Sequence, residues 1–279
     1  MTHGDGDGWV RCELGHRHWG RHGAAGLLAA ARDGGGRTLV LLIQRVGWSQ
    51  HGGTWGPPGG ARDSHESAAQ AALREAAEEC GAQVGGVRIH GLLTDDHGGW
   101  CYQTLIGGTA APFAVRPASW EASAVAWVPA DEVTALPLHP GFATAWPVIA
   151  GALAPVTLIV DGANVMGSRP DGWWRDRAGA MTRLHAELAA LAGAGLPRLP
   201  DDVASPPLDR WYPQVVLVVE GKARAVLGRV PDGDAVRVVA APGSGDDAIA
   251  ELAGQLPGQR LVVTADQELR RRCQGRGRR

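Results

Sequence analysis

Apolar and polar positions follow two different rhythms along the chain, and the rhythm changes near Ala154-Pro155. Before that point, Ala24–Arg32 and Thr38–Arg45 are apolar runs of strand length separated by Asp33-Gly34-Gly35-Gly36, which predicts a hairpin with a flexible turn. The residues ahead of them read as a loose start, so these two strands are expected to come first. A glycine- and proline-rich loop, Gly52 to Gly60, leads into residues 64–80, where Ala68, Ala69, Ala72, Leu73, Ala76 and Cys80 recur at helical spacing and Gly81 supplies a stop. Strand-like runs follow at 87–93, 100–106 and 124–128, and the apolar segment 142–153 has helical character.

After Ala154 the units alternate. Strands are predicted at 156–160, 215–219, 235–239 and 261–263, and helices near 174–191, at 246–252 and from Asp266. Such alternation implies a doubly wound, parallel α/β sheet. The Pro-, Gly- and Asp-rich stretch 193–207 reads as a loop inside this second domain. A length of 279 residues exceeds one typical domain, so the division falls at 1–153 and 154–279.

Composition adds little except through the placement of charge. With 44% hydrophobic and 20% charged residues the chain is an ordinary globular one. Residues 1–153 hold 10 basic and 14 acidic side chains, whereas 154–279 hold 17 and 15, so the second half is the basic one. Its end carries Arg270, Arg271, Arg272, Arg276, Arg278 and Arg279 without an acid: either a solvated tail or a strip that neutralises a phosphate backbone. Cys12, Cys80, Cys101 and Cys273 lie far apart with no C-x-x-C pair, which fits a reducing compartment. The polar N-terminus and the lack of any apolar run near the roughly 18 residues of a membrane span lead to the expectation of a cytoplasmic protein without a membrane partner.

Candidate chemistry begins in the first helix. Glu75, Glu78 and Glu79 stand at i, i+3 and i+4, so their carboxylates share one side while the alanines pack inward from a different face. Crowded like charges need an offset, and a hard cation with oxygen ligands, Mg²⁺ or Mn²⁺, supplies one; Arg74 can orient or neutralise one carboxylate. A solvated acidic face is the plain alternative. The surroundings favour the first reading: Gly60, five residues, Glu66, seven residues, then Arg74-Glu75-Ala76-Ala77-Glu78-Glu79-Cys80-Gly81-Ala82 resembles the Nudix box, with every fixed letter present and alanine at the two aliphatic positions. Gly53-Thr54-Trp55-Gly56-Pro57-Pro58-Gly59-Gly60 is similar to the family's approach loop and Ala126-Trp127-Val128-Pro129 to its late strand, so the resemblance spans about residues 20–150.

The resemblance implies a mixed-sheet α/β/α sandwich and a metal-dependent diphosphate hydrolase acting on a nucleotide-type small molecule. By position, Glu75, Glu78 and Glu79 would bind metal, Gly59 would offer its carbonyl, and Glu66 and Arg74 would support them. A further carboxylate shortly before the late strand's tryptophan commonly completes such sites; Glu121 is the candidate, with Asp95 and Asp96 as alternatives. A nucleoside triphosphate, an oxidised nucleotide, a dinucleotide and a nucleotide sugar all stay open as substrates. Trp48, Trp55 and Trp100 are available for stacking on a base or for loop packing. Cys12, His16 and His18 are soft-metal donors, but no fourth ligand or paired knuckle is visible, and they stay unassigned; His51, His65, His90 and His97 read as ordinary surface or loop residues.

In the second half each predicted strand end carries an acid: Asp161, Glu220, Asp246 with Asp247, and Asp266. Acids at helix starts are common caps. Four of them at one sheet rim would also make a Mg²⁺ or Mn²⁺ site for cleaving phosphodiesters. Asp161-Gly162-Ala163-Asn164, Gly243-Ser244-Gly245-Asp246-Asp247 and Val263-Thr264-Ala265-Asp266 resemble the strand-end motifs of NYN domains, the PIN-like ribonuclease group, over roughly 155–272. That resemblance implies metal-binding roles for Asp161, Asp246 and Asp266 and a supporting one for Asn164; Glu220 stands where aspartate is more usual. With Lys222 and the basic end, single-stranded RNA is the expected partner. Three readings follow: two hydrolase sites, a single Nudix site with a non-catalytic RNA-binding or regulatory module, and a nucleotide sensor with neither site turning over.

Overall fold

The computed structural model describes residues 4–81, 83–170, 172–201, 203, 205–230 and 235–274. Ala82 of the glutamate motif and Arg276, Arg278 and Arg279 of the basic end lie outside the described residues. The chain divides into two compact units. The first joins Met1–Leu153 to Arg198–Arg210, and the second joins Ala154–Pro197 to Trp211–Arg279. The stretch 193–207 is therefore not one loop of the second unit: Gly193 and Ala194 finish a helix, and Arg198–Arg210 packs with the first unit, where Asp209 accepts from Thr94 N through Oδ2 and donates its own N–H to Leu92 O at 3.0 Å.

The first unit does not open with a loose segment. β1 (Trp9–Arg11) and β2 (Arg17–Trp19) form an antiparallel hairpin, with Trp9 opposite Trp19. β3 (Ala24–Arg32) is the axis of the main sheet: it pairs antiparallel with β4 (Thr38–Arg45) and with β6 (Gly59–Ala61), and parallel with β8 (Cys101–Gly108). β7 (Arg88–Asp96) pairs with β8, while β5 (Trp55–Gly56) and β9 (Ala122–Pro129) pair with β4, giving a mixed sheet. β3 is apolar on both faces because both are covered: Leu27, Ala29, Leu41, Ile43 and Leu105 pack in one cluster with the first helix, and Leu28, Leu42 and Ile106 on alternate positions are also fully buried.

That helix, α1, is Ala68–Cys80. Ser67 caps it in a reciprocal box with Gln70, so residues 64–66 stay in the approach loop, and Gly81 ends it at φ 58°, a left-handed conformation that glycine adopts without strain. Its buried residues are Ala71, Ala72, Ala76, Glu79 and Cys80, and all but the glutamate are small. Alanine where a larger aliphatic is usual leaves no looseness at position 76, which is fully buried, and small side chains let the helix lie close to the sheet. α2 (Pro140–Gly151) adds Phe142, Trp146 and Ile149 to the buried set, and His90, itself buried, places Nε2 2.9 Å from Ala152 O.

In the second unit, strands Val236–Ala240, Gln214–Val219, Val156–Asp161 and Gln259–Val263 lie in that order, all parallel. Helix Arg177–Ala194 packs Met181 and Leu184 on one face with Leu158, Val160, Val215 and Leu217. Helices Gly245–Gln255 and Gln267–Gln274 pack Ile249, Ala250, Leu269 and Cys273 on the other with Ile159, Val216 and Val218. Helices on both faces of an open parallel sheet make a doubly wound unit. Among the described residues no helix is long and apolar enough to cross a membrane.

Candidate functional sites

The glycine loop and α1 are built to bring carboxylates against a strand. Gly59 and Gly60 lie in β6, opposite Gly26 and Ala25 of β3. A Cβ on Gly59 would stand 2.5 Å from Ala25 O and 2.7 Å from Tyr102 Oη, and a Cβ on Gly60 would stand 2.6 Å from Glu75 Oε1. Glycine is therefore required at position 59, where the space belongs to backbone, and at position 60 any side chain would displace the Glu75 carboxylate.

Arg74 organises the other side. Its Nε donates to Glu66 Oε1 at 2.7 Å, Nη2 to Glu66 Oε2 at 2.9 Å and to Ala61 O at 3.0 Å, and Nη1 to Glu75 Oε1 at 2.8 Å. Glu66 also accepts from Asp63 N, and these donors hold its carboxyl below the usual range. Glu66 and Arg74 thus brace the loop onto the helix.

The three helix glutamates do not share one environment. Glu78 is half exposed, the Glu75 side chain is 16% exposed, and Glu79, read from sequence as lying on the carboxylate side away from the core, is buried at 5%. Gly59 N donates to Glu79 Oε2 at 2.8 Å. Burial pushes Glu79 up to about 8, opposed by the Gly59 N–H and reinforced by Glu75 and Glu121. Burial likewise raises Glu75, opposed by Arg74 and reinforced by Glu78 and Glu121. Glu121, exposed, is held by Val46 N donating to its carbonyl at 3.0 Å. Asp95 and Asp96 are engaged elsewhere, with His97 at 3.1 Å and with Gly98 N at 2.9 Å. Glu75 and Glu79, both raised and both facing the charge of Glu121, with one arginine already shared between Glu66 and Glu75, form an oxygen-rich, under-neutralised donor set, and that chemistry fits a hard divalent cation.

These groups open into a cavity of about 1670 Å³ lined by Gly59, Arg74, Glu75, Glu78, Glu79 and Glu121. Single small-molecule sites are typically about 300–1,000 Å³, so a nucleotide has room. Sequence reasoning missed four contributors to the cavity. Arg45 bears on Glu79; Tyr102 is wedged against Gly26 and Gly59; His139 is pushed down to about 4 by burial, His51 and Arg45, so it is neutral at pH 7; and Trp120 stacks on Trp48 at 4.9 Å with rings 7° apart. None has a local motif. The pairing of β4 with β9 brings Trp120 beside Trp48, that of β3 with β8 brings Tyr102 to the glycine loop, and the His139 N–H donating to Trp55 O brings in His139. Trp48 and Trp120 are both exposed, whereas Trp55 is tied through its backbone to Pro137 and His139, and Trp100 stacks on His18 and donates from Nε1 to Gly20 O.

In the second unit the acids expected at strand ends come together. Asp161 is buried; Oδ1 accepts from Asn164 N at 3.0 Å and Oδ2 from Thr264 Oγ1 at 2.9 Å. Glu220 Oε2 accepts from Gly245 N at 2.7 Å, and Asp266 Oδ1 caps its helix through Leu269 N at 2.9 Å. Burial raises Asp246, and Asp161, Asp266 and Glu220 all add to the rise, so the four charges act on one place. The strand order reverses between Val156–Asp161 and Gln259–Val263, the position where open parallel sheets bind ligands. Asn164 Oδ1 accepts from Ala265 N and bridges these strand ends at 2.8 Å. The described part of the basic end is not a free tail: Arg270 donates to Thr264 O at 2.8 Å, and Arg272 pairs with Asp247.

A sequence model of the NUDIX domain matches residues 20–150. The chain is 43% identical over 166 residues to a protein of Mycobacterium tuberculosis named "Putative 8-oxo-dGTP diphosphatase 3", a match covering 57% of this chain and 75% of that one. It is 41% identical over 159 residues to a "Nucleoside triphosphate pyrophosphatase/Nudix hydrolase fusion protein" of Bifidobacterium longum, covering 54% of this chain and 32% of the other. A crystal structure of a Nudix hydrolase from M. smegmatis is 46% identical and covers 51% of this chain and 91% of its own, with a TM-score of 0.49. The glycine loop, the arginine brace and the carboxylates of α1 therefore stand where the sequence matches fall, and the chain belongs to the Nudix hydrolase family.

Proposed function

We propose that the first unit is a divalent-metal-dependent diphosphatase acting on a purine nucleoside triphosphate, with an oxidised guanine nucleotide as the leading substrate. The observation that carries this reading is the buried Glu79, held by Gly59 N and lining, with Glu75 and Glu121, a cavity large enough for a nucleotide. Support for the substrate comes from the 43% identity to the mycobacterial protein named for 8-oxo-dGTP. Glu75, Glu78, Glu79, Glu121 and the Gly59 carbonyl would hold Mg²⁺ or Mn²⁺. When bound, such ions spread charge off phosphate oxygens and lower the pKa of a water. Arg74 and Glu66 keep Glu75 in place, and Arg45 offers a cation for a phosphate. The exposed Trp48–Trp120 pair offers a face for a base, and neutral His139 can accept or donate one hydrogen bond to it. A panel of nucleoside triphosphates, dinucleoside polyphosphates and nucleotide sugars with Mg²⁺ and Mn²⁺ tests this: 8-oxo-dGTP should give the monophosphate and diphosphate with the highest kcat/KM. A clear preference for a dinucleotide or nucleotide sugar would overturn the substrate.

A second activity is favoured by the convergence of Asp161, Glu220, Asp246 and Asp266 at the sheet's reversal point. On this reading the unit is PIN-like and cleaves single-stranded RNA with Mn²⁺ or Mg²⁺ held by those acids. Incubating the protein with labelled single-stranded RNA and Mn²⁺ tests it. Absence of cleavage across several divalent ions would leave the unit a non-catalytic RNA-binding or regulatory module.

A further inference from the structure

Away from the glutamates, four soft-metal donors meet. Cys12 Sγ and one ring nitrogen each from His16, His18 and His97 all lie within 4.8 Å of one another. Three of the four come from the β1–β2 hairpin, whose turn is closed by Cys12 N donating to His16 O at 3.0 Å and Gly15 N to Cys12 O at 2.9 Å, with Gly15 at φ 83°. His97 is the fourth ligand that sequence spacing does not show. It arrives from the β7–β8 turn, which is docked to the hairpin by Glu13 N donating to Gly98 O at 2.9 Å.

Among the described residues, His18 Nε2 and His97 Nδ1 are buried and have no hydrogen-bond partner. Buried polar atoms are nearly always satisfied, and an orphan carries a desolvation cost. The other nitrogen of His97, Nε2, lies 3.1 Å from Asp95 Oδ2, the carboxylate–histidine arrangement that fixes the tautomer and aims the remaining lone pair at a metal. The His18 ring is locked by stacking on Trp100, centroids 3.9 Å apart and planes 10° from parallel.

We propose that Cys12, His16, His18 and His97 form a structural Zn²⁺ site that fastens the N-terminal hairpin to the Nudix sheet. One thiolate and three imidazoles suit a borderline-soft ion in tetrahedral geometry, not the hard ion that suits the glutamates. Tetrahedral Zn²⁺ places its ligand atoms about 3.3–3.8 Å apart, inside the 4.8 Å within which all four donors already lie. Four protein ligands leave no open position, which marks the site as structural. A two-stranded sheet is marginal alone, and the strands here have three residues each. Trp9, Arg17 and Trp19 of that hairpin line the cavity, so the ion would hold one of its walls.

Metal analysis of the full chain, purified without chelator from zinc-supplemented cells, should find about one Zn²⁺ per protein, falling below about 0.2 in Cys12→Ser and in His97→Gln while Glu79→Gln keeps its zinc. Cobalt-exchanged wild type should show a thiolate-to-cobalt charge-transfer band and strong tetrahedral d–d absorption, and this readout requires no variant to fold. Wild type with less than about 0.2 Zn²⁺ and no such cobalt spectrum would overturn the site, as would stoichiometric zinc retained in both ligand variants.

Discussion

The Arg74 guanidinium grips the Glu66 carboxylate with two prongs, Nε to Oε1 at 2.7 Å and Nη2 to Oε2 at 2.9 Å, and still reaches Glu75 with Nη1 at 2.8 Å. Lysine is a point charge and cannot keep three such directed bonds. We expect Arg74→Lys to lower kcat about 10–100-fold through a misplaced Glu75 and to cost about 1–2 kcal/mol of stability, less than a fully buried pair because the arginine is one-third exposed. Steady-state kinetics beside thermal melts check both. Unchanged kcat would make the pair a fold brace only.

Gly60→Ala is a sharper geometric test. The new methyl would stand 2.6 Å from Glu75 Cδ and Oε1, so the carboxylate must leave its place. Turnover should fall by about 10²-fold, as misplacement of a catalytic group by about 1 Å commonly does. Gly34→Ala, where nothing among the described residues lies within 4 Å of the new methyl, should leave kinetics unchanged.

Proton uptake and release report on Glu79. Burial raises its folded value from 4.5 to about 8. The free protein is thus most favoured by this group below pH 4.5 and loses that stability as pH rises to about 8, because the unfolded chain ionises first. A cation needs the ionised form, so at pH 7 binding should release about one proton, decreasing toward zero above about pH 9. Calorimetry of Mg²⁺ binding in buffers of different ionisation enthalpy measures this. Proton release independent of pH between 6 and 9 on this order would contradict the assignment.

How much of this was legible in the residues depended on how local each feature is. The glutamate helix, its glycine stop and the alternating second half follow from neighbours a few positions apart, and observed elements such as Ala68–Cys80 and Gln214–Val219 lie close to those expected. The β1–β2 hairpin was not legible, because its strands are three residues long and carry no apolar alternation. His97 could not be joined to Cys12 from spacing, since 85 positions separate them and long-range contacts such as Glu13 on Gly98 and Trp100 on His18 bring them together. The burial of Glu79 also escaped, because a helical wheel shows which residues share a side but not where the sheet and glycine loop close over it. Assigning Arg198–Arg210 to the first unit required contacts such as Asp209 with Leu92, with no composition signal to announce them.

The two proposed sites should act independently, because each draws its side chains from one unit: the glutamates from α1 and the segment before β9, the acids Asp161, Glu220, Asp246 and Asp266 from the second sheet. Asp161→Asn keeps size while removing charge, and should abolish Mn²⁺-dependent RNA cleavage with diphosphate hydrolysis changed less than about twofold. RNA cleavage that survives Asp161→Asn would belong to another site or a contaminant.

The most direct measurement is the turnover number of Glu79→Gln on the best diphosphate substrate, taken with its melting temperature. Glutamine keeps an oxygen to accept from Gly59 N, so the fold should persist within a few degrees, while loss of the buried anionic ligand should lower kcat by about 10³-fold or more. A folded Glu79→Gln protein that turns over at the wild-type rate would contradict the assignment of diphosphate hydrolysis to the α1 carboxylates.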